Sequence, residues 1–199
     1  MEQSRGQKNA IFLDGLSQMF SSLIPLEDLE VSELFEVLYD DYFCVDFIDS
    51  KTYLNSTIYI NPQTYKKEDG KEKSFWHLTS REQSYQVKEG KKTVPRKERL
   101  PDFARAERLE WVKLIIENHT DPQIKLFYRK ETTDKKPIRL YLWLYQKDFV
   151  VILQKLGAND SFLVTSFYIT YDDKRDEYQE RFEKYVNKKD GDLVGCEWF

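Results

Sequence analysis

Apolar side chains near the start of the chain recur with the period of an amphipathic helix. Over residues 9–24, "NAIFLDGLSQMFSSLI", they occupy positions 12, 13, 16, 19, 20, 23 and 24, which would give a helix one apolar face. Pro25 lacks the amide hydrogen that a continuing helix needs, so it marks the end. A second helix is predicted over residues 28–39, with Leu34 and Leu38 on its inward side.

Shorter patterns follow these helices. The stretches 42–48 and 56–62 are typical of short strands or extended segments, and residues 66–73 have the composition of a turn. The stretch "KSFWHLTSREQ", residues 73–83, is interpreted as an aromatic strand that ends at His77. A long polar loop that contains "KEGKKTVPRKER" is predicted after it.

The second half of the chain predicts a helix, a strand meander and a closing helix. Asp102 is a good N-cap for a helix over about 102–117. Short turns imply that the next four strands are antiparallel neighbours. The predicted strands are 123–130, 137–146, 149–156 and 161–171, and a charged helix is predicted over 173–188.

This order of elements indicates an α+β fold, with N-terminal helices plus a curled four-stranded antiparallel sheet packed against helices. We expect two regions: residues 1–72 form an acidic, largely helical N-terminal subdomain, and residues 73–199 form an α+β domain.

One strand of the meander has two clearly different faces. In "PIRLYLWLYQ" the leucines alternate with Arg139, Tyr141, Trp143 and Tyr145. Aromatic and arginine side chains on one face could stack nucleic-acid bases. The alternative is that this face is a second packed surface covered by the N-terminal subdomain, since Trp and Tyr are common in half-buried sheets.

The last strand places hydroxyl groups among apolar side chains. In "SFLVTSFYITY", Thr165 shares a predicted face with Leu163, Phe167 and Ile169, and Ser166 lies on the other face. Threonine is ordinary in strands, so the hydroxyls have a functional meaning only if they lie near other polar groups.

Charge is unevenly distributed along the chain. The net charge is −4 overall, but it is −8 over residues 1–72, +8 over residues 73–155 and −4 over residues 156–199. A local basic segment is what a polyanionic ligand needs, whereas a solvated loop is the simpler explanation of its lysines. Two unpatterned cysteines, no signal peptide and no apolar run long enough to span a membrane suggest a cytoplasmic protein without membrane association.

The basic segment also contains the most reactive set of side chains. His77 titrates near neutrality and can move protons, and Arg81 can grip a phosphate group. Arg105 lies on the inward stripe of its helix, where a solvated arginine is out of place. The alternatives are a core histidine with both nitrogens satisfied, and a buried ion pair between Arg105 and Asp102 or Glu82. No metal-ligand spacing and no cofactor motif is present, so no cofactor is expected.

The ordered motifs "FWHLTSRE", "RLPDFARAERLEW" and "FLVTSFYI" resemble those of the phage- and toxin-associated ribonucleases of the barnase, EndoU, colicin and RelE group. The resemblance covers roughly residues 73–171. It implies a metal-independent endoribonuclease that cleaves RNA by attack of the 2′-hydroxyl, and a cognate inhibitor or antitoxin as a partner. The alternative is a non-catalytic, nuclease-like protein that binds RNA or inhibits another protein through its acidic N-terminal region.

The resemblance also suggests roles for individual residues. The catalytic residues would be His77, Arg81, Arg105 and Thr165, and the substrate-binding residues would be Thr79, Ser166 and Tyr168. Arg139 and Tyr141 are added as substrate-binding residues from the alternating strand pattern alone. The chain departs from the family pattern because it has no second nearby histidine and because Phe167 follows the Thr165-Ser166 pair. The sequence therefore does not identify the second proton-transfer group. We expect His77, Arg81, Arg105 and one late-strand hydroxyl to line a single cleft.

Overall fold

A computed structural model describes residues 20–90, 92–132, 137–188, 193, 195 and 197–198 of the chain. Most of the helix predicted over residues 9–24 lies outside the described residues, and residues 20–24 are not helical. Phe20 and Ile24 are nevertheless buried, so this segment contributes apolar side chains to the core. None of the described helices is long and apolar enough to cross a membrane.

The fold is α+β, as predicted. The described helices are α1 (Val31–Val37), a π-helix (Leu38–Asp49), α2 (Lys73–Thr79), α3 (Phe103–Ala106), α4 (Leu109–Glu117) and α5 (Asp172–Val186). The strands are β1 (Tyr53–Leu54), β2 (Ile58–Asn61), β3 (Lys67–Glu68), β4 (Lys71–Glu72), β5 (Ser80–Glu89), β6 (Lys92–Pro101), β7 (Ile124–Lys130), β8 (Ile138–Leu144), β9 (Phe149–Lys155) and β10 (Asp160–Tyr168).

The main sheet is curled and has six strands in the order β1-β2-β10-β9-β8-β7. Strands β7 to β10 form the predicted antiparallel meander. The prediction of a four-stranded, purely antiparallel sheet is wrong, because β2 adds to the edge of β10 in parallel and β1 pairs with β2. The pattern of residues 56–62 predicts a strand there but carries no information about which strand it joins.

Each face of the sheet has its own hydrophobic core. Leu140, Leu142 and Leu144 of β8 point into the larger core, which the N-terminal elements and α4 cover. Tyr141 and Trp143 point into a smaller core beneath α5. The alternation in β8 therefore predicts both faces correctly. The cover on the second face is the C-terminal helix, and not the N-terminal subdomain that we expected.

Residues on both sides of position 72 share the larger core. Leu34, Phe43 and Ile60 belong to the same buried cluster as Phe75 and Val112. The segment before position 72 also supplies β1 and β2 to the sheet. Its described part contains two helical elements and four short strands.

The segment predicted as an extended stretch over residues 42–48 is part of the π-helix. Tyr39, Phe43 and Phe47 recur every fourth residue, and their rings contact one another along one side of this helix. Phe43 and Phe47 are fully buried. The prediction is wrong because a short aromatic run fits a strand and a buried helix equally well when only its composition is considered.

A β-bulge changes the faces of β10. The pairing with β9 shifts in register between Leu163 and Thr165. Leu163 therefore packs in the larger core, whereas Phe167 and Ile169 pack on the side of the smaller core. We predicted that all three would share a face. A bulge inserts one extra residue and re-aims the side chains that follow it.

Candidate functional site

The candidate site is an open cleft of about 370 Å³ where α2, the start of β5, the end of β6 and α3 meet. Four cationic side chains, two carboxylates, one imidazole and one hydroxyl line it. These residues are Glu68, Lys73, His77, Ser80, Arg81, Glu82, Arg99 and Arg105. His77, Arg81 and Arg105, three of the predicted catalytic residues, thus lie at one cleft.

His77 lies on helix α2, and not at the end of a strand as we predicted. Phe75, Trp76 and Leu78 are buried and anchor this short helix to the larger core. Lys73 and His77 are four residues apart, so they lie on the same side of the helix, toward the cleft. The prediction failed because seven residues with three large apolar side chains are too few to reveal a period.

The hydroxyls beside His77 serve to end the helix. The last carbonyl groups of a helix have no partner within it and need donors from elsewhere. The Thr79 hydroxyl donates to the Phe75 carbonyl at 2.9 Å, and the Ser80 hydroxyl donates to the Trp76 carbonyl at 2.7 Å. Thr79 is fully buried. It is therefore a structural residue, which corrects its predicted role in substrate binding.

The carbonyl oxygen of His77 is where the other predicted residues converge. Arg105 Nη1 donates to it at 3.2 Å and Thr165 Oγ1 donates to it at 2.9 Å. Arg105 also pairs through Nε with Asp102 at 3.1 Å, which is one of the alternatives that the sequence left open. Both residues thus hold the backbone of His77 in place, and their bonds join α2 to α3 and β10.

The His77 imidazole faces the cleft and is half-buried. Among the described residues, its ring nitrogens make no hydrogen bond. Burial lowers its pKa below the ordinary 6.5, and the nearby charges of Lys73, Arg99 and Arg105 lower the pKa further. The ring is therefore neutral at pH 7 and free to accept a proton.

The four cations of the cleft differ in how far they are neutralised. Arg99 pairs with Glu68 at 2.6 Å, lies over the Trp76 ring and approaches the Ser80 hydroxyl. Lys73 and Arg81 have no ion pair within the part of the chain that the structure describes. These two side chains line the same cleft as His77, and their charge is available to an anionic ligand.

Sequence reasoning missed Lys73, Arg99 and Glu68 as residues of this cleft. Lys73 could have been found from its spacing of four to His77, had the helix been recognised. Arg99 and Glu68 come from strands β6 and β3, and only the hairpin pairing and the loop geometry bring them to the helix. No local signal in the sequence marks these two residues.

The remaining hydroxyls of the late strand lie elsewhere. Ser166 is fully buried, and its Oγ has no hydrogen-bond partner among the described residues. Tyr168 is 40% exposed but lines a different cleft, where Arg108 lies over its ring. Neither side chain lines the His77 cleft, so the structure does not support their predicted roles in substrate binding.

Arg139 and Tyr141 also lie away from the cleft. Tyr141 is 3% exposed and stacks on Phe127 under α5, and its hydroxyl donates to Glu131 at 2.6 Å. Burial and the neighbouring carboxylate of Glu131 raise the pKa of Tyr141 to about 12. Because α5 covers this face, its rings are not accessible to a base, so this face is the packed surface of the two alternatives, and the predicted substrate-binding role of Tyr141 is wrong.

No family model, curated protein or solved structure matches this chain. The geometry of the site therefore carries the functional argument. In the described part of the chain, no three His, Cys, Asp or Glu residues come together as metal ligands would.

Proposed function

We propose that the protein is an endoribonuclease that cleaves RNA without a metal ion, with its active site at the His77 cleft. One observation carries the proposal: a half-buried imidazole with a lowered pKa lines one cleft together with two cations, Lys73 and Arg81, that have no ion pair among the described residues. An RNA phosphate supplies the negative charge that this arrangement favours.

The chemistry uses the RNA's own nucleophile. His77 accepts the proton of a 2′-hydroxyl, and the resulting oxygen forms a bond to the adjacent phosphorus. The bond from phosphorus to the 5′-oxygen breaks, and that oxygen takes a proton from the His77 imidazolium or from solvent in the open cleft. The products are a 2′,3′-cyclic phosphate and a 5′-hydroxyl.

The cations stabilise the charge that develops during this step. Arg81 and Lys73 contact the non-bridging phosphate oxygens, where the transition state gathers negative charge. Arg105 and Thr165 act as positioning residues, because each donates a hydrogen bond to the His77 carbonyl. Arg99, held by Glu68, forms a fixed part of the wall of the cleft.

The direct test compares wild-type protein with His77→Ala on total RNA in the presence of EDTA. We expect wild-type cleavage with 2′,3′-cyclic phosphate ends, and a loss of about 10²–10⁴-fold in rate for His77→Ala. His119→Gln serves as the matched control, because His119 is the other histidine and does not line the cleft. Equal background from wild type and His77→Ala would contradict the proposal.

A non-catalytic RNA-binding protein is the second candidate. Fixed ion pairs at the cleft favour this function. Arg99, Arg105 and Glu82 each have an ion-pair partner, which holds these side chains in place. Such a wall can bind a phosphate backbone without chemistry. RNA binding by wild-type protein without any cleavage would favour this function over the enzyme.

A further inference from the structure

Strands β5 and β6 form a long hairpin that lies outside both cores. Each strand has ten residues, paired from Ser80↔Pro101 to Glu89↔Lys92. The side chains over residues 81–89 and 92–98 are exposed on both faces, apart from the half-buried Val87 and Val94. Nine residues beyond Arg81 span about 30 Å at the usual rise of a strand.

A ribbon of this kind gains little stability from the rest of the protein. Two-stranded hairpins are marginal in water unless a further strand or a helix packs on them. Within this hairpin, Val87 pairs with Val94, and Lys97 pairs with Glu82 at 2.6 Å. These contacts are local and exposed, so they do not explain why the strands extend so far from the body of the protein.

The charge of the hairpin is strongly basic. Residues 81–100 contain seven Lys or Arg and three Glu, a net charge of +4 in a chain whose total is −4. Directly paired residues of an antiparallel hairpin share a face. Three of the four hairpin residues that line the cleft, Ser80, Glu82 and Arg99, lie on one such face.

We call this surface the cleft-side face. Its members beyond the cleft are Ser84, Gln86 and Lys88 of β5 and Lys97, Pro95 and Thr93 of β6. It carries no large apolar side chain, whereas the cores of protein interfaces are apolar and aromatic. The opposite face holds Tyr85 and the two valines. Lys97 and Lys88 thus continue the positive charge of the cleft along the ribbon.

We propose that the cleft-side face of the β5–β6 hairpin binds the phosphate backbone of the RNA strand that extends out of the His77 cleft. This inference rests on the proposed function only in taking RNA as the ligand of the cleft. A flexible single strand can follow a row of cations, and contacts to phosphates fix its path without reading its sequence. The hairpin would therefore supply affinity, and the cleft would supply chemistry.

The test measures binding of a fluorescein-labelled single-stranded RNA of mixed sequence by anisotropy. All proteins are full-length and carry His77→Ala, so that the probe stays intact. The first variant adds Lys88→Gln and Lys97→Gln on the cleft-side face. The matched control adds Lys92→Gln and Arg96→Gln on the opposite face. Each pair combines one cation that has an ion pair with one that has none among the described residues.

We expect the cleft-side variant to weaken binding about tenfold. The slope of log Kd against the logarithm of the salt concentration, measured between about 50 and 200 mM, should fall by about 1.4, because two phosphate contacts to a single strand are lost. The opposite-face control should change Kd less than about twofold, because salt screens charges that do not contact the strand. Lys88→Arg with Lys97→Arg should retain the affinity.

Equal loss of affinity from both pairs, or no loss from either, would overturn the proposal. The outcome is separate from that of the cleavage test. Face-dependent RNA binding together with absent cleavage would support the ribbon and contradict the ribonuclease. RNA cleavage that depends on His77, together with an RNA affinity that does not change on substitution of Lys88 and Lys97, would support the enzyme and overturn the proposed role of the hairpin.

Discussion

Two regions of this molecule carry similar side chains, the His77 cleft and the face of β8 that bears Arg139 and Tyr141. Both combine arginine with a titratable aromatic side chain, His77 in the cleft and Tyr141 on β8. Helix α5 packs on the β8 face through Tyr178, and Tyr141 is sealed beneath it. No described element covers the cleft, where His77 stays half-exposed. The same residue types are structural in one place and available in the other.

Hydrogen bonding separates the two regions further. The Tyr141 hydroxyl has Glu131 as its partner, and that contact together with burial keeps the group protonated. The His77 ring has no hydrogen-bond partner among the described residues, while its carbonyl has two. A fixed backbone beneath an unengaged imidazole is the arrangement that a proton-transfer group needs. Tertiary cover and hydrogen-bond partners therefore separate a structural side chain from an available one, and residue type alone does not.

The largest change in stability should come from a substitution on the β8 face that α5 covers. Trp143→Ala removes a side chain that is 1% exposed in the smaller core, so we expect a loss of about 3–5 kcal/mol in the free energy of unfolding. His77→Ala removes a half-exposed ring without hydrogen bonds and should cost less than about 1 kcal/mol. Urea unfolding of both variants measures this contrast. Similar losses in the two variants would show that the cleft is part of the core.

An intermediate effect is expected from a positioning residue. Thr165→Val deletes the hydroxyl that donates to the His77 carbonyl, so it should cost about 1–2 kcal/mol of stability. Thr165→Ser keeps the donor and is the matched control. If Thr165 positions His77, the valine variant should also lower the rate of RNA cleavage more than it raises KM, and serine should restore the rate. Unchanged kinetics would reduce Thr165 to a purely structural residue.

The smallest expected effect is on how the free energy of unfolding depends on pH. The folded state lowers the pKa of His77 and of His119, so the unfolded chain binds protons more readily than the folded chain at these sites. Their contribution to stability is therefore present above about pH 6.5 and is lost as pH falls toward the folded pKa values. His77→Gln should flatten part of this loss in unfolding measured against pH. An unaltered pH profile would contradict the lowered pKa of His77.

Much of the fold could be predicted from the sequence where the pattern is long. The meander of β7 to β10 and helix α5 follow the predicted order because each element shows a clear period or alternation. Short elements were not predictable. Helix α2 and the bulge in β10 depend on burial and pairing with distant segments, and the polar stretch of β5 and β6 has no apolar alternation to mark it as a hairpin.

The site was predictable only in part. His77 and Arg105 stand out because each is a polar residue within an apolar pattern, and the structure brings both to one cleft. The late-strand hydroxyl differs from the expectation, since Thr165 donates to the His77 carbonyl and is not among the residues that line the cleft. Tyr141 fits the alternation of β8, which does not show whether its face is covered. Its place in the core follows from the packing of α5 on that face.

Binding of phosphate beside the His77 ring can be measured directly, because the chain has only two histidines. We would follow both imidazoles by NMR during titration with inorganic phosphate. We predict that the His77 signals shift and that its pKa rises, because a bound anion favours the imidazolium. His119, at the end of α4, should not change. If phosphate left the His77 signals and pKa unchanged, or shifted the signals of both histidines alike, the proposed phosphate site would be wrong.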